Sequence, residues 1–525
     1  MKKRVVLTTV AAVALTGAAV VVPPMASADP SASGVAWSPC PDDDPIMDDY
    51  LKGLECGSIE VPLDHAKPDG RKITLELTRA RHTVPEKEYQ GVVLLNRGQW
   101  PGTIGRDLPT RFADGTTGLP KDVGATYDWI GFDPRGVGAS DPKVTCDPDY
   151  LAPGSARPGY VPKSAGQEKK WLDRARTFAQ SCGEKYGDTL KHLGTKDSAR
   201  DMDLIRQALG QERINYLGYS YGTYLGSVYA SMYPDRVRRM VLDSVVRPST
   251  VGYEGGLDQN VAFQKRADIY FAWIAKHHKV YKLGTTRAQV EANYEKGMER
   301  VREKPIDGKI GPAEYNDIFI VNVYRTYIWS YHAQVLADWV LRGDATGLRE
   351  NMMEPDYPAQ NTYAMYAAVQ CRDAAWPRDW QRWRKDHARQ QSQGDRFMTW
   401  HNAWYNAPCA FWPAPADKPQ KVGAKGVDML LVQGENDAAT PVAGAKEVHR
   451  RFPDSRYVLE RGGNFHGASL TANDNACLNG HVAAYLRDGT RPAPAKGPDA
   501  TCAASPPPEP ETPASGAGAR DADRP

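Results

Sequence analysis

Short apolar runs that end in polar or glycine-rich residues recur along much of the chain. The runs Ile59–Leu63 and Ile73–Leu77 lie on either side of the turn residues Asp69-Gly70 and predict a β-hairpin. The runs Gly91–Asn96 and Asp128–Asp133 are more uniformly apolar, which is typical of parallel strands that are buried on both faces. The pattern therefore predicts an α/β domain with a mostly parallel sheet flanked by helices.

Helical periodicity separates these strands in the first half of the chain and again near its end. The stretch Thr195–Ala208 has apolar residues weighted to one face, Gly210 follows it, and the strand Ile214–Leu217 comes next. The later elements, in order, are a strand at Val427–Val432, a helix at Ala443–Phe452, a strand at Arg456–Leu459 and a helix at Ala476–Arg487.

The alternation lapses between residues 248 and 425, where the sequence is helical and rich in Trp and Tyr. This stretch predicts a helical cap inserted into the α/β core, whose two parts are then residues 29–247 and 426–502. Residues 503–525 consist largely of Pro, Ala, Gly and charged residues with little to bury, and we expect a disordered tail.

The first 28 residues have the features of a signal peptide. Lys2, Lys3 and Arg4 precede the apolar run Val5–Val22, and Ala26-Ser27-Ala28 supplies small residues for cleavage. An uncleaved membrane anchor is the alternative, because a spanning helix takes about 20 apolar residues. We expect cleavage and a secreted protein, either free in the medium or associated with the cell wall, with no stable membrane insertion.

The eight cysteines form an even set, which in an oxidising compartment favours disulfides. Pairing sequence neighbours is the simplest of about 105 connectivities. That pairing is Cys40 with Cys56, Cys146 with Cys182, Cys371 with Cys409, and Cys477 with Cys502.

The charge is nearly balanced, with 66 Lys and Arg against 64 Asp and Glu and a formal net charge of +2. Three of the positive charges lie in the predicted signal peptide. Since nucleic acids and anionic membranes attract proteins through a basic field, we expect neither as a partner. The oligomeric state is not indicated by the sequence.

The strongest chemical motif is Gly218-Tyr219-Ser220-Tyr221-Gly222, which lies between a predicted strand and a helix rich in small residues. A serine on so tight a turn needs glycine on both sides, because the two backbones crowd there. The motif predicts a nucleophile elbow with Ser220 as the nucleophile.

A serine nucleophile needs a histidine base and an acid that orients the base. Asp437 lies in the loop after the strand that ends at Val432, and His466 lies in a glycine-rich loop after the strand at Arg456–Leu459. The order Ser220, Asp437, His466 is that of α/β-hydrolases. A capping aspartate and a surface histidine are the structural alternatives for these two residues.

A developing oxyanion needs two amide donors, one after the nucleophile and one from the loop after an earlier strand. Tyr221 supplies the first. We expect the second from the loop Asn96–Gly105, at Gln99, with Gly98 and Trp100 as alternatives.

These motifs together resemble secreted actinobacterial tripeptidyl aminopeptidases, which are α/β-hydrolases related to prolyl aminopeptidases. The resemblance extends from about Cys40 to Cys502 and also includes the stretches Val61–Asp64 and Asp133–Ser140. It implies a serine peptidase that removes short peptides, typically tripeptides, from free amino termini, with a cap that limits access. It further implies that Ser220, Asp437 and His466 are nucleophile, acid and base, and that Arg135 forms a buried ion pair.

One loop departs from the family pattern Asn-Pro-Gly-Gly-Pro-Gly. Arg97 replaces the proline, and Gln99-Trp100 stand where one glycine is expected. This change affects a loop that must approach the substrate closely, so it bears on substrate preference and on the oxyanion donor. An esterase or other small-acyl hydrolase with the same triad, and a catalytically silent binding protein, therefore remain alternative functions.

An aminopeptidase must also bind a protonated amine, for which a carboxylate is the natural partner. Asp373 and Glu254 are the candidates, with a solvated surface acid as the alternative for each. The cap aromatics Tyr324, Tyr327, Trp329 and Tyr331 recur at helical spacing, which favours core positions over substrate contacts.

No cofactor or metal is expected. The Gly-x-Gly in Asp133–Ser140 lacks a third glycine, and Asp141-Pro142 interrupts any helix start. The adjacent His277 and His278 do not share a helix face, and no cluster has the spacing of a zinc site.

Overall fold

The computed structural model describes residues 34–44, 46–98, 101–151 and 154–510. The predicted signal peptide lies outside the described residues. The strands, in chain order, are β1 (Ser38–Pro39), β2 (Glu55–Pro62), β3 (Lys72–Ala80), β4 (Val92–Asn96), β5 (Asp128–Phe132), β6 (Ile214–Tyr219), β7 (Val237–Asp243), β8 (Met429–Gly434), β9 (Arg456–Arg461) and β10 (Ala500–Ala503).

All ten strands of the described residues join one sheet in the order β1-β2-β3-β5-β4-β6-β7-β8-β9-β10. Strands β2 and β3 form the predicted antiparallel hairpin, and β3 also pairs antiparallel with β5. From β5 through β4 to β10 all pairings are parallel. In register, Leu217 of β6 lies opposite Leu95 and Val241. Parallel strands place their carboxyl ends at one edge, where α/β proteins bind ligands.

Helices cover both faces of this sheet. They are α1 (Leu108–Ala113), α2 (Lys121–Gly124), α3 (Ala165–Tyr186), α4 (Thr195–Ala208), α5 (Tyr221–Met232), α6 (Tyr253–Lys276), α7 (His278–Tyr281), α8 (Arg287–Glu303), α9 (Pro312–Ile320), α10 (Trp329–Ala337), α11 (Thr346–Glu350), α12 (Tyr357–Asp373), α13 (Trp380–Gln393), α14 (Thr399–Asn406), α15 (Pro408–Phe411), α16 (Ala443–Arg451) and α17 (Ala476–Asp488). Helix α4 has the predicted bounds. The long α3 and the strands β7 and β10 are additions to the predicted elements.

The uniformly apolar strands are explained by two separate apolar cores, one on each face of the sheet. In β4, Val92 and Leu94 pack into the core that also contains Ile205 of α4. Val93 and Leu95 point the other way, into the core that contains Leu478 of α17. Successive residues of a strand face opposite sides, so a strand covered on both sides must be apolar at every position. The α/β-hydrolase fold predicted from the sequence is confirmed.

The stretch between β7 and β8 contains ten helices, α6 to α15. Its first half has an apolar core of its own, which includes Phe263, Trp329 and, from the loop after β8, Ala438. Helix α12 behaves differently, because its residues Tyr363 and Met365 pack into the core of the sheet. The first half of the insertion therefore packs around a core of its own, whereas α12 contributes to the core of the sheet.

Four disulfides pair the cysteines as sequence neighbours: Cys40–Cys56, Cys146–Cys182, Cys371–Cys409 and Cys477–Cys502. This is the simplest connectivity considered for the sequence.

The chain remains ordered beyond Cys502, where the sequence analysis placed the start of a disordered tail. Residue 503 belongs to β10, which pairs with β9. Farther on, the carbonyl of Pro508 accepts a hydrogen bond from the Trp273 indole at 3.0 Å, and that of Glu509 accepts one from the Ser330 hydroxyl at 2.9 Å. Residues 503–510 are thus held by strand pairing with the sheet and by hydrogen bonds from cap side chains to their carbonyl groups, which composition does not reveal. Residues 511–525 lie outside the described part of the chain.

Among the helices of the described residues, none combines the length and the apolar character that crossing a membrane requires.

Candidate active site

Ser220 lies between the end of β6 and the start of α5, with φ 52° and ψ −122°. A positive φ is rare for a residue with a side chain, and here it marks the sharp turn predicted from the motif. A Cβ on Gly222 would lie 2.8 Å from the Asn96 carbonyl oxygen, and one on Gly218 would lie 2.7 Å from the Gly222 oxygen. Glycine is required at both positions because β4, β6 and α5 approach one another there.

Asp437 and His466 form a hydrogen-bonded pair. The Nδ1 of His466 lies 2.9 Å and 3.0 Å from the two carboxylate oxygens of Asp437. The backbone amide and the hydroxyl of Thr440 also donate to this carboxylate, at 3.0 Å and 2.8 Å. Burial raises the pKa of Asp437, but the charge and hydrogen bond of His466 and the bonds from Thr440 more than offset this and hold the pKa below its ordinary value. The acid is therefore ionised and can orient the imidazole.

The three residues follow the carboxyl ends of β6, β8 and β9, which lie at one edge of the sheet. Strand β7 lies between β6 and β8, and its last residue, Asp243, contacts both the elbow and the loop that carries His466. The amide of Ser220 donates to the carbonyl of Asp243 at 3.0 Å, and the amide of Ala468 donates to the Asp243 carboxylate at 2.8 Å. One residue at the end of β7 therefore touches both segments.

Asp243 is a residue that the sequence analysis missed. Its buried carboxylate also accepts hydrogen bonds from the amide and hydroxyl of Ser469, at 2.7 Å and 2.6 Å, and from the hydroxyl of Ser244 at 3.0 Å. The Ser244 hydroxyl in turn accepts from the Gly467 amide at 2.8 Å. The sequence signal for Asp243 was its position directly after the apolar run Met240–Leu242, where no strand was predicted.

We expect Asp243→Asn to change how stability depends on pH. Burial raises the pKa of Asp243 to about 6, although hydrogen bonds from Ser469, Ala468 and Ser244 favour its ionised form. Because this folded-state pKa exceeds the unfolded value of about 3.9, the carboxyl group contributes most to stability below pH 4. That contribution falls by roughly 3 kcal/mol as the pH rises through 6. Urea unfolding at pH 4 to 7 should show the variant gaining about that much relative to wild type.

Asp235→Asn is the matched control, because Asp235 is exposed on the turn before β7. Its difference from wild type should not change over this pH range. A difference for Asp243→Asn that is equally constant with pH would contradict the assignment of a raised pKa to Asp243.

The predicted oxyanion donor Tyr221 is engaged within the protein. Its amide donates to the carbonyl of Gly98 at 2.9 Å. Gly98 has φ 57°, and a Cβ there would lie 1.8 Å from the carbonyl oxygen of Tyr219, so only glycine fits. The other predicted donor, Gln99, and the alternative Trp100 lie outside the described residues, and their role stays a prediction.

Arg97, which replaces the family's proline, pairs with Asp107 at the amino-terminal end of α1. Arg111, one turn into that helix, lies 3.6 Å from the same carboxylate. An ion pair therefore attaches the start of the altered loop to α1. The family's proline would instead restrict this position through its ring, which fixes φ.

The loop Asp133–Ser140 is fixed by buried polar contacts. The guanidinium of Arg135 is fully buried and contacts the Asp201 carboxylate through Nε at 2.7 Å and through a terminal nitrogen at 2.6 Å. The buried ion pair implied by the family resemblance is present. Asn361 of α12 completes the brace, because it accepts from the Gly138 amide and donates to the Gly136 carbonyl, both at 2.8 Å.

The two candidates for amine binding lie in different surroundings. Asp373 is buried, and it accepts hydrogen bonds from the amide of Thr195 at 2.8 Å and from the hydroxyl of the same residue. That hydroxyl also lies 2.6 Å from the Tyr221 phenol, which brings Asp373 into the network behind the elbow. Burial raises the pKa of Asp373 to about 7, against the effect of the hydrogen bonds from Thr195.

Glu254 is exposed at the start of α6 and forms an ion pair with Arg382 at 3.0 Å. It lines a surface groove together with Leu257 and Asp386, and none of the predicted catalytic residues lines that groove. For both acids, amine binding stays a prediction.

The cap aromatics divide into two groups. Trp329 is fully buried in the cap core, as expected. Tyr324 instead presents its ring to His466, edge to face with centroids 5.7 Å apart, and its carbonyl accepts from the His466 amide at 2.9 Å. The ring centroid of Tyr327 lies 6.0 Å from that of Phe465, which precedes His466 in the histidine loop. The cap therefore contacts the histidine loop directly, which helical spacing did not reveal.

Within the described part of the chain, one group of potential metal ligands comes together, at Cys477, His481 and Cys502. The two cysteines are bonded to each other in a disulfide. A disulfide sulfur is not a thiolate and does not ligate metal in the usual way, so this group is not a metal site.

Comparison with known proteins identifies the family to which the chain belongs. The sequence model of the family described as "TAP-like protein" matches residues 395–502, which include Asp437 and His466. The chain is 39% identical over 498 residues to the tripeptidyl aminopeptidase of Streptomyces lividans, covering 93% of this chain and 90% of that protein.

Two mycobacterial proteins are more distant relatives. Serine protease Hip1 of Mycobacterium tuberculosis is 31% identical, covering 87% of this chain and 89% of Hip1. A protein of the same species named carboxylesterase B is 30% identical, covering 84% of this chain and 86% of that protein. Identity at this level over nearly the whole length establishes common descent and a common fold. The chain thus belongs to the tripeptidyl aminopeptidase family of α/β-hydrolases and is a serine hydrolase of the peptidase type.

Proposed function

We propose that the protein is a secreted serine exopeptidase that releases tripeptides from free amino termini through an acyl-enzyme. In this proposal Ser220 is the nucleophile, His466 the general base and acid, and Asp437 the residue that orients the base. The relatives support the peptidase class, and the Streptomyces lividans relative by its name suggests the tripeptide product. The four disulfides and the predicted signal peptide support secretion.

The observation that carries the proposal is the Asp437–His466 pair at the sheet edge where the Ser220 elbow lies. Because the Nδ1 of His466 is hydrogen-bonded to Asp437, Nε2 is the ring nitrogen that remains to take a proton. A neutral imidazole held in this tautomer can accept the proton of the Ser220 hydroxyl.

The reaction then has two halves. Ser220 attacks the scissile carbonyl while His466 takes its proton, and His466 returns this proton to the amine of the departing shortened peptide. Water, activated by the same histidine, hydrolyses the ester on Ser220. The negative charge that develops on the carbonyl oxygen needs the Tyr221 amide, so Gly98 has to give up its hydrogen bond when substrate binds.

The amino-terminal specificity calls for a carboxylate at a fixed distance from Ser220. We propose Asp373 or Glu254 for this role. Asp373 has the closer structural link to the elbow, through Thr195 and Tyr221.

The test is mass spectrometry of the products after incubating the mature protein with unblocked peptides and their N-acetylated counterparts. We expect tripeptides from the unblocked peptides only, since acetylation removes the positive charge that a carboxylate would bind. Release of fragments from both sets at equal rates would exclude an exopeptidase that recognises the free amine. Asp373→Asn and Glu254→Gln, assayed in parallel, should raise KM for the unblocked peptides in one variant only.

A small-acyl esterase is the second candidate, and the relative named carboxylesterase B supports it. Fast cleavage of ester substrates with no cleavage of any peptide would favour this function. If Ser220 fails to react with a fluorophosphonate probe, neither hydrolase function holds, and a binding protein becomes the better description.

A further inference from the structure

Arg266 of the cap helix α6 is a buried cation that contacts the loop of the proposed base. Its side chain is fully buried, and its Nε donates to the carbonyl of Asn464 at 2.9 Å. Asn464 is two residues before His466 in the same loop. The central guanidinium carbon lies 4.8 Å from the centroid of the Trp329 ring, within the range of a cation–π interaction. The guanidinium thus lies between the cap core and the histidine loop.

Most of this guanidinium has no polar partner. Among the residues that the structure describes, neither terminal nitrogen of Arg266 has a hydrogen-bond acceptor. Burying an unpaired charge is costly, so stability alone does not account for it. Burial lowers the pKa of Arg266 to about 9, and the charge that opposes this effect is that of Asp437. Arg266 is therefore still cationic at neutral pH, and it acts electrostatically on the proposed acid.

Other contacts attach α6 and its neighbours to the same two loops. The side chain of Gln259 donates to the carbonyl of Ala439 at 2.6 Å, and Ala438 packs within the cap core. The His466 amide donates to Tyr324. The cap therefore holds the acid loop and the histidine loop from one side, while Asp243 holds the histidine loop from the sheet.

We infer that Arg266 is a positioning residue for the proposed hydrolysis, which braces the histidine loop through the Asn464 carbonyl and places a buried positive charge beside that loop. The inference rests on the proposed function. A buried positive charge close to this loop disfavours a second positive charge on the loop in a medium of low dielectric constant. Burial raises the pKa of two nearby phenols, that of Tyr270 one turn further along α6 and that of Tyr324, whose ring contacts His466, so both are neutral.

The expected effect is a shift of the acidic limb of the pH profile. Without the cation, a positive charge forms more readily on the histidine loop, so the limb moves to higher pH by about one unit in Arg266→Gln. Arg266→Lys keeps the charge but loses the Nε–H bond to Asn464. Its limb should stay at the wild-type position while the rate at the plateau falls about tenfold.

The experiment measures the rate at which a fluorophosphonate labels Ser220 from pH 4 to 9, for the full mature chain and each variant. This rate depends on the state of His466 but not on the natural substrate. Arg300→Gln is the matched control, because Arg300 also stacks on a cap tryptophan, Trp339, and donates to a backbone carbonyl at 2.7 Å. Its profile should coincide with that of wild type.

The outcomes separate the inference from the proposed function. A wild-type protein that is not labelled would overturn the proposed function. A labelled wild type with an unmoved limb in a folded Arg266→Gln would overturn the inference alone. If thermal unfolding shows that Arg266→Gln does not fold, Arg266→Lys decides, and a wild-type rate in that variant at every pH would also overturn the inference.

Discussion

Ser220→Ala should lower kcat for peptide hydrolysis on the order of 10⁶-fold, the loss typical when the nucleophile of a serine peptidase is removed. The hydroxyl is the atom that becomes acylated in the proposed mechanism, and alanine supplies no substitute. The fold should persist, because the elbow is held by backbone contacts, including the Ser220 amide bond to Asp243. The measurements are kcat on an unblocked peptide, fluorophosphonate labelling and thermal unfolding.

Ser227→Ala is the matched control for this experiment. Ser227 lies two turns further along α5, is buried, and its hydroxyl has no hydrogen-bond partner among the described residues. This substitution also deletes one buried hydroxyl oxygen, yet turnover should stay within about twofold of wild type. Substantial peptide hydrolysis by a folded Ser220→Ala protein would exclude Ser220 as the nucleophile.

Asp437→Asn should lower kcat by about 10⁴-fold, with little change in KM. An asparagine of the same shape can place its amide group against Nδ1 of His466 and so favour the wrong tautomer. It also lacks the negative charge that stabilises the imidazolium formed during the reaction. The measurement is kcat and KM for peptide hydrolysis at a pH where His466 is neutral, since a rise in KM alone would indicate lost substrate binding.

Glu435→Gln provides the comparison within the same loop. The Glu435 carboxylate accepts from the Gly462 amide at 2.7 Å, so it braces the loop without contacting His466. Its loss should lower kcat far less than the loss of Asp437. Equal effects of the two substitutions would mean that both residues only stabilise the loop, and the acid would have to be sought elsewhere.

Several elements could be predicted from the sequence because their signals are local. The hairpin of β2 and β3, the helix Thr195–Ala208 and the strand that leads into Ser220 each follow from periodicity and turn residues within ten to twenty positions. The signal of the glycines around Ser220 is equally local, since the crowded backbone of a single turn excludes a side chain at these positions. Strand β7 was missed because Arg238 and Arg239 interrupt its apolar pattern.

The packing of the inserted helices does not follow from local signals. Helical periodicity shows that a face is buried but not which core buries it. Helices α6 and α12 both lie in the stretch predicted to be the cap, yet α6 packs into the cap core and α12 into the core of the sheet. Only the path of the chain in space distinguishes the two.

The sequence by itself determined the fold class, the elbow and the order of Ser220, Asp437 and His466, because each depends on spacing along the chain. The tertiary structure alone decided that Asp243 anchors the histidine loop, that Gly98 engages the Tyr221 amide and that Arg266 donates to the histidine loop. These contacts join residues that are in most cases more than 100 positions apart. Burial and hydrogen bonding at such sites depend on which loops lie next to each other at the sheet edge. A local pattern of residue types does not predict which loops these are.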